Sequence, residues 1–294
     1  MSGTIDAHIH MYPPEAAADA AGWGRRMGEP GWTACVAPSG KPSIQGWADV
    51  PRLLADMDRA GIEKCVMLGW YWERQETCDL QNTAYAGWIR DHPDRLLAFA
   101  AVQPADGQLA LDGLKRALDA GLCGVGELLP QAQGFGYDDP WWRRAVEIAT
   151  ERGLPITLHV TDPEAPAAAG PRTPFENYLR LAREYPRTPF ILAHWGGGLA
   201  FRPSPHPIPP NLFFDTAASP LLYDPTVFRR AVDHVGVDRL LYGSDYPLRL
   251  YPRTAREPDF RRFLGEISNS GLTPAEQEKI LGGNIKKLLQ ARPC

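Results

Sequence analysis

The sequence predicts an α/β chain folded as a single (β/α)8 TIM barrel. Three observations carry that expectation. Eight short apolar runs recur along the 294 residues, most of them separated by stretches with helical character. Strand and helix in alternation argue for parallel pairing through helical crossovers. Several helical stretches end on a glycine, the residue that most easily takes the left-handed turn closing a helix. Finally, no GxGxxG or GxxxxGK[ST] follows the first run, which weighs against a nucleotide-binding open sheet. A barrel of this length is routinely one domain, so residues 1–294 are expected to form one unit.

The elements follow in order. Thr4–Ile9 is the first strand. A helical stretch, Val50–Ala60, ends at Gly61 and leads into the second strand, Ile62–Leu68. Leu80–Arg90 and a turn at His92–Pro93 precede the third, Leu96–Val102. Amphipathic Leu109–Ala120 closes on Gly121 before the fourth, Gly124–Leu129. Trp141–Arg152 with Gly153 precedes Pro155–Val160, and Phe175–Tyr185 precedes Pro189–Ala193. Asn211–Asp215 and Arg239–Tyr242 complete the eight. Thr273–Gln290 reads as a closing helix, with Thr273 at the N-cap, Pro274 at the first position and Glu276 three residues on, a capping box. Two stretches break the rhythm: Tyr12–Gly46, and Gly196–Pro210 with its five prolines. Both follow strand C-termini, where barrel sites are built, so both are expected to wall a pocket.

Composition excludes several partners. With 31 basic and 35 acidic residues the net charge is -4, spread without blocks, which leaves no footprint for nucleic acid and no polybasic membrane anchor. No run approaches transmembrane length, and the N-terminus lacks a leader-like pattern. Five cysteines without CxxC spacing indicate a reducing compartment rather than a disulfide framework. A cytoplasmic protein acting on a small molecule is the expectation, with room for a homodimer.

The chemistry begins with His8 and His10. Residues i and i+2 of a strand share a face, so both imidazoles project together. His159 ends the fifth strand, His194 the sixth, and Asp245 lies just beyond the eighth. Each alone has an ordinary structural explanation, such as an Asx turn for Asp245. Together at one rim they supply the N and O donors that Zn²⁺ or Mn²⁺ accepts. Such an ion can lower the pKa of bound water to about 7, and a carboxylate beside it can take the proton. Asp6 shares the face of the histidine pair, as an acceptor for a ligand histidine or a ligand itself. His92, His206 and His234 read as surface residues. Trp70, Tyr71 and Trp72 follow the second strand and Trp195 follows His194; Trp70, Trp72 and Trp195 are candidates to stack on a substrate. Arg202 and Arg249 are candidates to fork a substrate carboxylate.

The segments IDAHIH, LHVT, LAHWGGG, LLYGSDYP and ILGGNIKKLL, in that order along nearly the whole chain, resemble the amidohydrolase superfamily, specifically its amidohydrolase-2 branch. The resemblance implies the barrel, with His8, His10, His159 and Asp245 at the metal. It also implies that His194 binds a second ion or polarises the substrate, and that Asp245 takes the proton from metal-bound water. In binuclear members a carboxylate from about the position of Glu127 bridges two ions. The alternative for Glu127 is an ion pair with a barrel Arg or Lys. One ion or two therefore both fit, with Zn²⁺ expected before Mn²⁺. Because decarboxylases of this branch use one metal, Glu127 favours hydrolysis of an amide, lactone or ester. Non-oxidative decarboxylation of an aromatic or enoic acid is the second expectation.

Overall fold

The computed structural model describes residues 3–40, 42–164, 172, 174–204, 206–249 and 257–290. Eight parallel strands run in chain order: β1 (Thr4–Ile9), β2 (Ile62–Met67), β3 (Leu96–Ala98), β4 (Val125–Leu128), β5 (Ile156–Leu158), β6 (Phe190–Leu192), β7 (Leu212–Asp215) and β8 (Leu240–Leu241). Strands β1–β2–β3 and β4 through β8 form two hydrogen-bonded ladders. Bridges between Ala100 and Val125 and between Ile9 and Tyr246 join the ladders on both sides. The circle of strands is thus closed, with no sheet edge left unpaired among the described residues.

The helices lie where the apolar periodicity places them. Val50–Ala60, Gln75–Asp91, Gln108–Asp119, Pro140–Arg152 and Phe175–Glu184 follow the first five strands, and Val227–Val235 follows β7. Gly61 and Gly153 close two of them at φ 71° and 68°. The Asp139 carboxylate caps the helix that begins at Pro140 by accepting from the N–H groups of Trp141 and Trp142. The connection from β6 to β7 has no regular helix longer than one turn among the described residues.

Two expectations about connections are revised. The Tyr12–Gly46 stretch is not a bare loop: it contains short helices at Pro14–Ala18, Ala20–Met27 and Pro30–Val36. Trp23 and Trp32 anchor them in an aromatic cluster with Tyr12, Trp47, Trp70 and Trp72. The closing helix is interrupted. Thr273 and Glu276 form the capping box, but a wide π turn at Lys279–Gly283 separates Pro274–Glu278 from Asn284–Gln290. There the backbone meets the barrel directly. A Cβ on Gly282 would stand 2.5 Å from the Gly3 carbonyl oxygen, and the Ile280 carbonyl accepts from Tyr242 N–H at 2.9 Å. The last segment then seals β1 and β8, with Ile285, Leu288 and Leu289 packed with Ile5, Ala7 and Leu241.

Candidate active site

The site grows from the C-terminal ends of the strands. At β1, the Asp6 carboxylate accepts the backbone N–H groups of His8 (3.0 Å) and Ser244 (3.1 Å). Asp6 therefore ties β1 to the segment after β8 and holds backbone, not an imidazole. Its burial raises the carboxyl to about 7 despite those hydrogen bonds. The expectation that Asp6 would orient a ligand histidine is corrected: Asp215 does so. His8 Nδ1 donates to Asp215 Oδ2 at 2.9 Å, while Asp215 Oδ1 accepts the N–H groups of His194 and Ala217. Asp215 is fully buried at the end of β7.

His10 Nδ1 donates to the Leu68 carbonyl at 3.2 Å, and His194 Nδ1 to the Ala217 carbonyl at 3.0 Å. All three histidines thus have Nδ1 held by an acceptor, which leaves Nε2 to present its lone pair in the neutral ring. His8 Nε2 and His10 Nε2 stand 3.2 Å apart. Asp245 Oδ1 lies 3.7 and 3.6 Å from them. Asp245 reaches this place by a left-handed backbone, φ 65°, with its N–H on the His8 carbonyl. His194, Trp195 and Ala218 also have positive φ, so strained backbone gathers where the strands end.

Glu127 joins the two halves of the site. It is 1% exposed, too enclosed for a free carboxylate without cationic or polar company. Oε2 lies 3.5 Å from His10 Nε2 and 4.0 Å from His8 Nε2. Oε1 accepts from His159 Nδ1 at 3.0 Å and stands 3.8 Å from His194 Nε2. The ordinary alternative, a pair with a barrel Arg or Lys, is not what the geometry displays. Two groups of three potential ligands result, His8–His10–Asp245 and Glu127–His159–His194.

The electrostatics match a cation site. Burial alone would lower the His8 imidazole, but Asp215, Glu127 and Asp245 outweigh it and push it up to about 10. Burial likewise opposes ionisation of Glu127, yet His159 and His8 hold it well below the usual carboxylate range. His194 is lowered by burial and by His159, and so stays neutral. Two imidazole nitrogens and two carboxylate oxygens, 3.2–4.0 Å apart over the contacts just given, have the spacing that ligands about 2.0–2.2 Å from one centre adopt. The residues fit a divalent metal.

A cavity of about 330 Å³ opens above this nest, large enough for a small organic ligand. His10, Glu127, His159, His194 and Asp245 form its polar floor. Trp70 and Tyr71, stacked at 4.2 Å, and Leu221, Leu222 and Leu248 line its walls. Cys35, Ile44 and Gln45 make a wall from the segment after β1. The described part of Gly196–Pro210 contributes no lining residue, which corrects its expected place. Phe201 packs that loop onto Trp195 and Tyr223, and residues after β7 form the wall instead.

Of the expected substrate contacts, Trp70 lines the cavity. Trp72 does not: it is fully buried, with Nε1 on Gln81 Oε1 at 2.6 Å. Trp195 is also buried, donating to Ser219 Oγ and packed edge-on against Phe228. Arg202 is engaged by Asp162 through two hydrogen bonds, 2.7 and 2.9 Å. Arg249 donates to the Ser43 carbonyl and fastens the wall segment rather than a ligand. Three residues not singled out from sequence belong here: Asp215, Asp162 and Tyr223; Tyr71, named with the aromatic run after the second strand, lines the cavity beside Trp70. Asp215 carried the same signal as the others, a polar residue ending an apolar strand.

Comparison with known proteins agrees with this geometry. A family model described as amidohydrolase matches residues 5–291. No curated protein matches the sequence. Among solved structures, 2,6-dihydroxybenzoate decarboxylase from Rhizobium aligns at TM-score 0.68 and 21% identity, over 99% of each chain. A dihydroxybenzoic acid decarboxylase from Polaromonas, with manganese and 2-nitroresorcinol bound, aligns at 0.70 and 21%, over 99% of this chain and 97% of that one. The 5-carboxyvanillate decarboxylase of Sphingomonas paucimobilis aligns at 0.73 and 16%, over 99% of each. These likenesses overturn the expectation of a hydrolase, because the neighbours are lyases that break a carbon–carbon bond without adding water. Zinc is not singled out either, since the ion named in a neighbour is manganese. The step from Glu127 to hydrolysis does not hold, because a buried carboxylate facing His8, His10, His159 and His194 fits one ion or two and does not by itself choose between adding water and releasing CO₂. Among the described residues no helix is long and apolar enough to cross a membrane.

Proposed function

The chain belongs to the amidohydrolase family, and on that premise we propose that it is a metal-dependent, non-oxidative decarboxylase of an aromatic carboxylic acid. The observation that carries this reading is the cavity's polarity. Among its described lining residues there is no Arg or Lys; beyond the nest the walls are aromatic and aliphatic, broken by Gln45, Thr161, Asp162 and Tyr223. A substrate carboxylate has no cationic side chain to meet there, and Glu127 and Asp245 would repel it. It must enter with, or onto, a cation held by His8, His10 and Asp245, with Glu127 facing them through Oε2. The proposed ion is a single Mn²⁺, for which mixed carboxylate and imidazole donors are suitable; Zn²⁺ would compete. When bound, the ion would act as a Lewis acid that neutralises and orients the carboxylate.

The chain's own residues would do the rest. Trp70 and Tyr71 offer a stacked wall for the ring. Loss of CO₂ requires a proton on the ring carbon that carries the carboxylate; the carbon–carbon bond then breaks and its electron pair restores the aromatic ring. Of the carboxyl groups at the site, Asp6 is buried on backbone N–H groups, Glu127 is held ionised, Asp162 is paired with Arg202, and Asp215 is spent on His8 and backbone. Asp245 borders the cavity; with Oδ1 turned to His8 and His10, its carboxyl, once protonated from solvent, is the one placed to deliver that proton. The apolar walls favour turning a charged carboxylate into neutral CO₂, because low-polarity surroundings disfavour the charge.

The test is product analysis with manganese-loaded protein and a panel of hydroxylated benzoic acids. One CO₂ and one phenol per acid consumed are expected. Opening of esters or lactones with no CO₂ from any acid would refute the proposal.

Metal binding should also depend on pH. The His8 value lies above its ordinary 6.5, at about 10, so the metal-free imidazole is protonated at neutral pH and a cation must expel that proton. Apparent Mn²⁺ affinity should rise roughly tenfold per pH unit for the one proton released. Titration at pH 6.5, 7.5 and 8.5 measures it; a flat profile would mean that metal binding releases no proton from His8.

A further inference from the structure

We infer that Tyr223 is a specificity residue that reads a hydroxyl on the far side of the substrate ring from the carboxylate and excludes a second carboxylate there. The inference rests on the proposed aromatic-acid site and deepens it.

Asp162 and Tyr223 both line the cavity, and the hydrogen bonds of their side chains run to each other, Arg202 and Glu164 rather than to the nest of histidines. The Tyr223 hydroxyl donates to Asp162 Oδ2 at 2.5 Å, so it sits at the seam between two lining residues. Asp162 is saturated. Oδ1 accepts Arg202 Nη1 at 2.7 Å and Glu164 N–H at 2.8 Å, and Oδ2 accepts Arg202 Nη2 at 2.9 Å besides the phenol. Two lone pairs per oxygen are thereby used, and Asp162 has none left for a ligand.

The phenol differs. A hydroxyl has one proton and two lone pairs; the proton is committed to Asp162, and the phenol oxygen can still accept. Arg202 makes that commitment firm, because its fork fixes the carboxylate that takes the proton. Burial and the Asp162 bond hold the Tyr223 phenol well above its ordinary value, so it does not ionise to release Asp162. The ring is braced edge-on against Phe201, centroids 5.0 Å apart.

The Asp162–Tyr223 pair therefore offers a ligand an acceptor and no donor. A ring hydroxyl can donate to it. A second carboxylate, which only accepts, would face the phenol lone pair and the Asp162 charge, and neither residue can donate to it. Arg202 thus acts on the substrate in the opposite sense to a carboxylate fork: it sets the polarity of a neighbour.

Binding, not turnover, is the direct test. Calorimetry with manganese-loaded wild-type and Tyr223→Phe proteins would use 2-hydroxybenzoate, 2,4-dihydroxybenzoate and 2-hydroxyterephthalate. Wild type should prefer the dihydroxy acid over 2-hydroxybenzoate about fivefold, as one neutral hydrogen bond is worth. It should bind the dicarboxylate at least about tenfold more weakly than the dihydroxy acid, since an unpaired charge is rejected more strongly than a missing bond. In Tyr223→Phe the first preference should vanish, with affinity for 2-hydroxybenzoate unchanged; a merely structural role would weaken both acids alike. Equal loss for both, a preference that survives the substitution, a dicarboxylate bound as tightly as the dihydroxy acid, or no binding of any of the three overturns the inference. The predicted pattern without CO₂ release would leave it standing and remove only the proposed reaction.

Discussion

Glu127→Gln is expected to lower manganese affinity by roughly 100-fold or more, at or above the upper end of what loss of a supporting ligand costs, and turnover should fall with it. The charge removed faces both halves of the site: Oε2 toward His8 and His10, Oε1 bonded by His159. Gln keeps the shape but presents an amide that cannot neutralise a cation and brings a donor where the site is built for an acceptor. Either way round, one of the two contacts is lost: an NH₂ group toward His159 meets another donor, and an NH₂ group toward the nest meets the incoming ion. A second consequence separates electrostatics from misfolding. With one of its three carboxylate neighbours gone, the metal-free His8 imidazole should titrate at lower pH than the value of about 10 that they impose. NMR titration of the histidine ring protons reads this without metal or substrate. Undiminished metal content with wild-type turnover would show that Glu127 is structural.

Glu127 also marks where the sequence was legible and where it was not. The barrel was readable because its signals are local. An apolar run is bounded by Gly or Pro, and a helix such as Val50–Ala60 has its stop at Gly61, so both ends lie within a few residues. The histidine pair was readable for the same reason, since strand parity puts His8 and His10 on one face whatever the rest does. Asp215 was equally accessible as the polar end of NLFFD, and only its service to His8, 207 residues away, was hidden. Long-range partners decided the failures. Arg202 and Arg249 looked like carboxylate forks because a lone sequence does not reveal that Asp162 and the Ser43 carbonyl hold them. Trp72 and Trp195 lie beside cavity or nest residues in the chain, yet Gln81 and Ser219 bind their indole N–H groups inside the core. The choice between adding water and releasing CO₂ was least legible. It turns on which atoms Glu127 faces and on the absence of cations along the described cavity walls, both properties of the assembled rim.

Asp245→Asn separates the proton-delivering role from the structural one more sharply than any other substitution. Asp245 has φ 65°, a conformation that costs most residues but that Asn tolerates as well as Asp. Its backbone N–H on the His8 carbonyl does not depend on the side chain. The variant should therefore unfold at nearly the wild-type temperature. Three of the four donors of the nest remain, including both imidazoles, so manganese should bind more weakly but still saturate at high concentration. An amide cannot give up a proton at neutral pH. Turnover at saturating metal should thus fall about 10²–10⁴-fold, the usual worth of positioned proton transfer, while binding of the aromatic acid is largely retained. Asp245→Ala is the necessary contrast: it removes the same proton but also places a residue with no polar side chain in the left-handed region, so it should lose stability as well as rate. If Asp245→Asn, saturated with metal, still released CO₂ at the wild-type rate, the proton would have to come from His159 or His194, the other titratable groups on the cavity floor able to carry one.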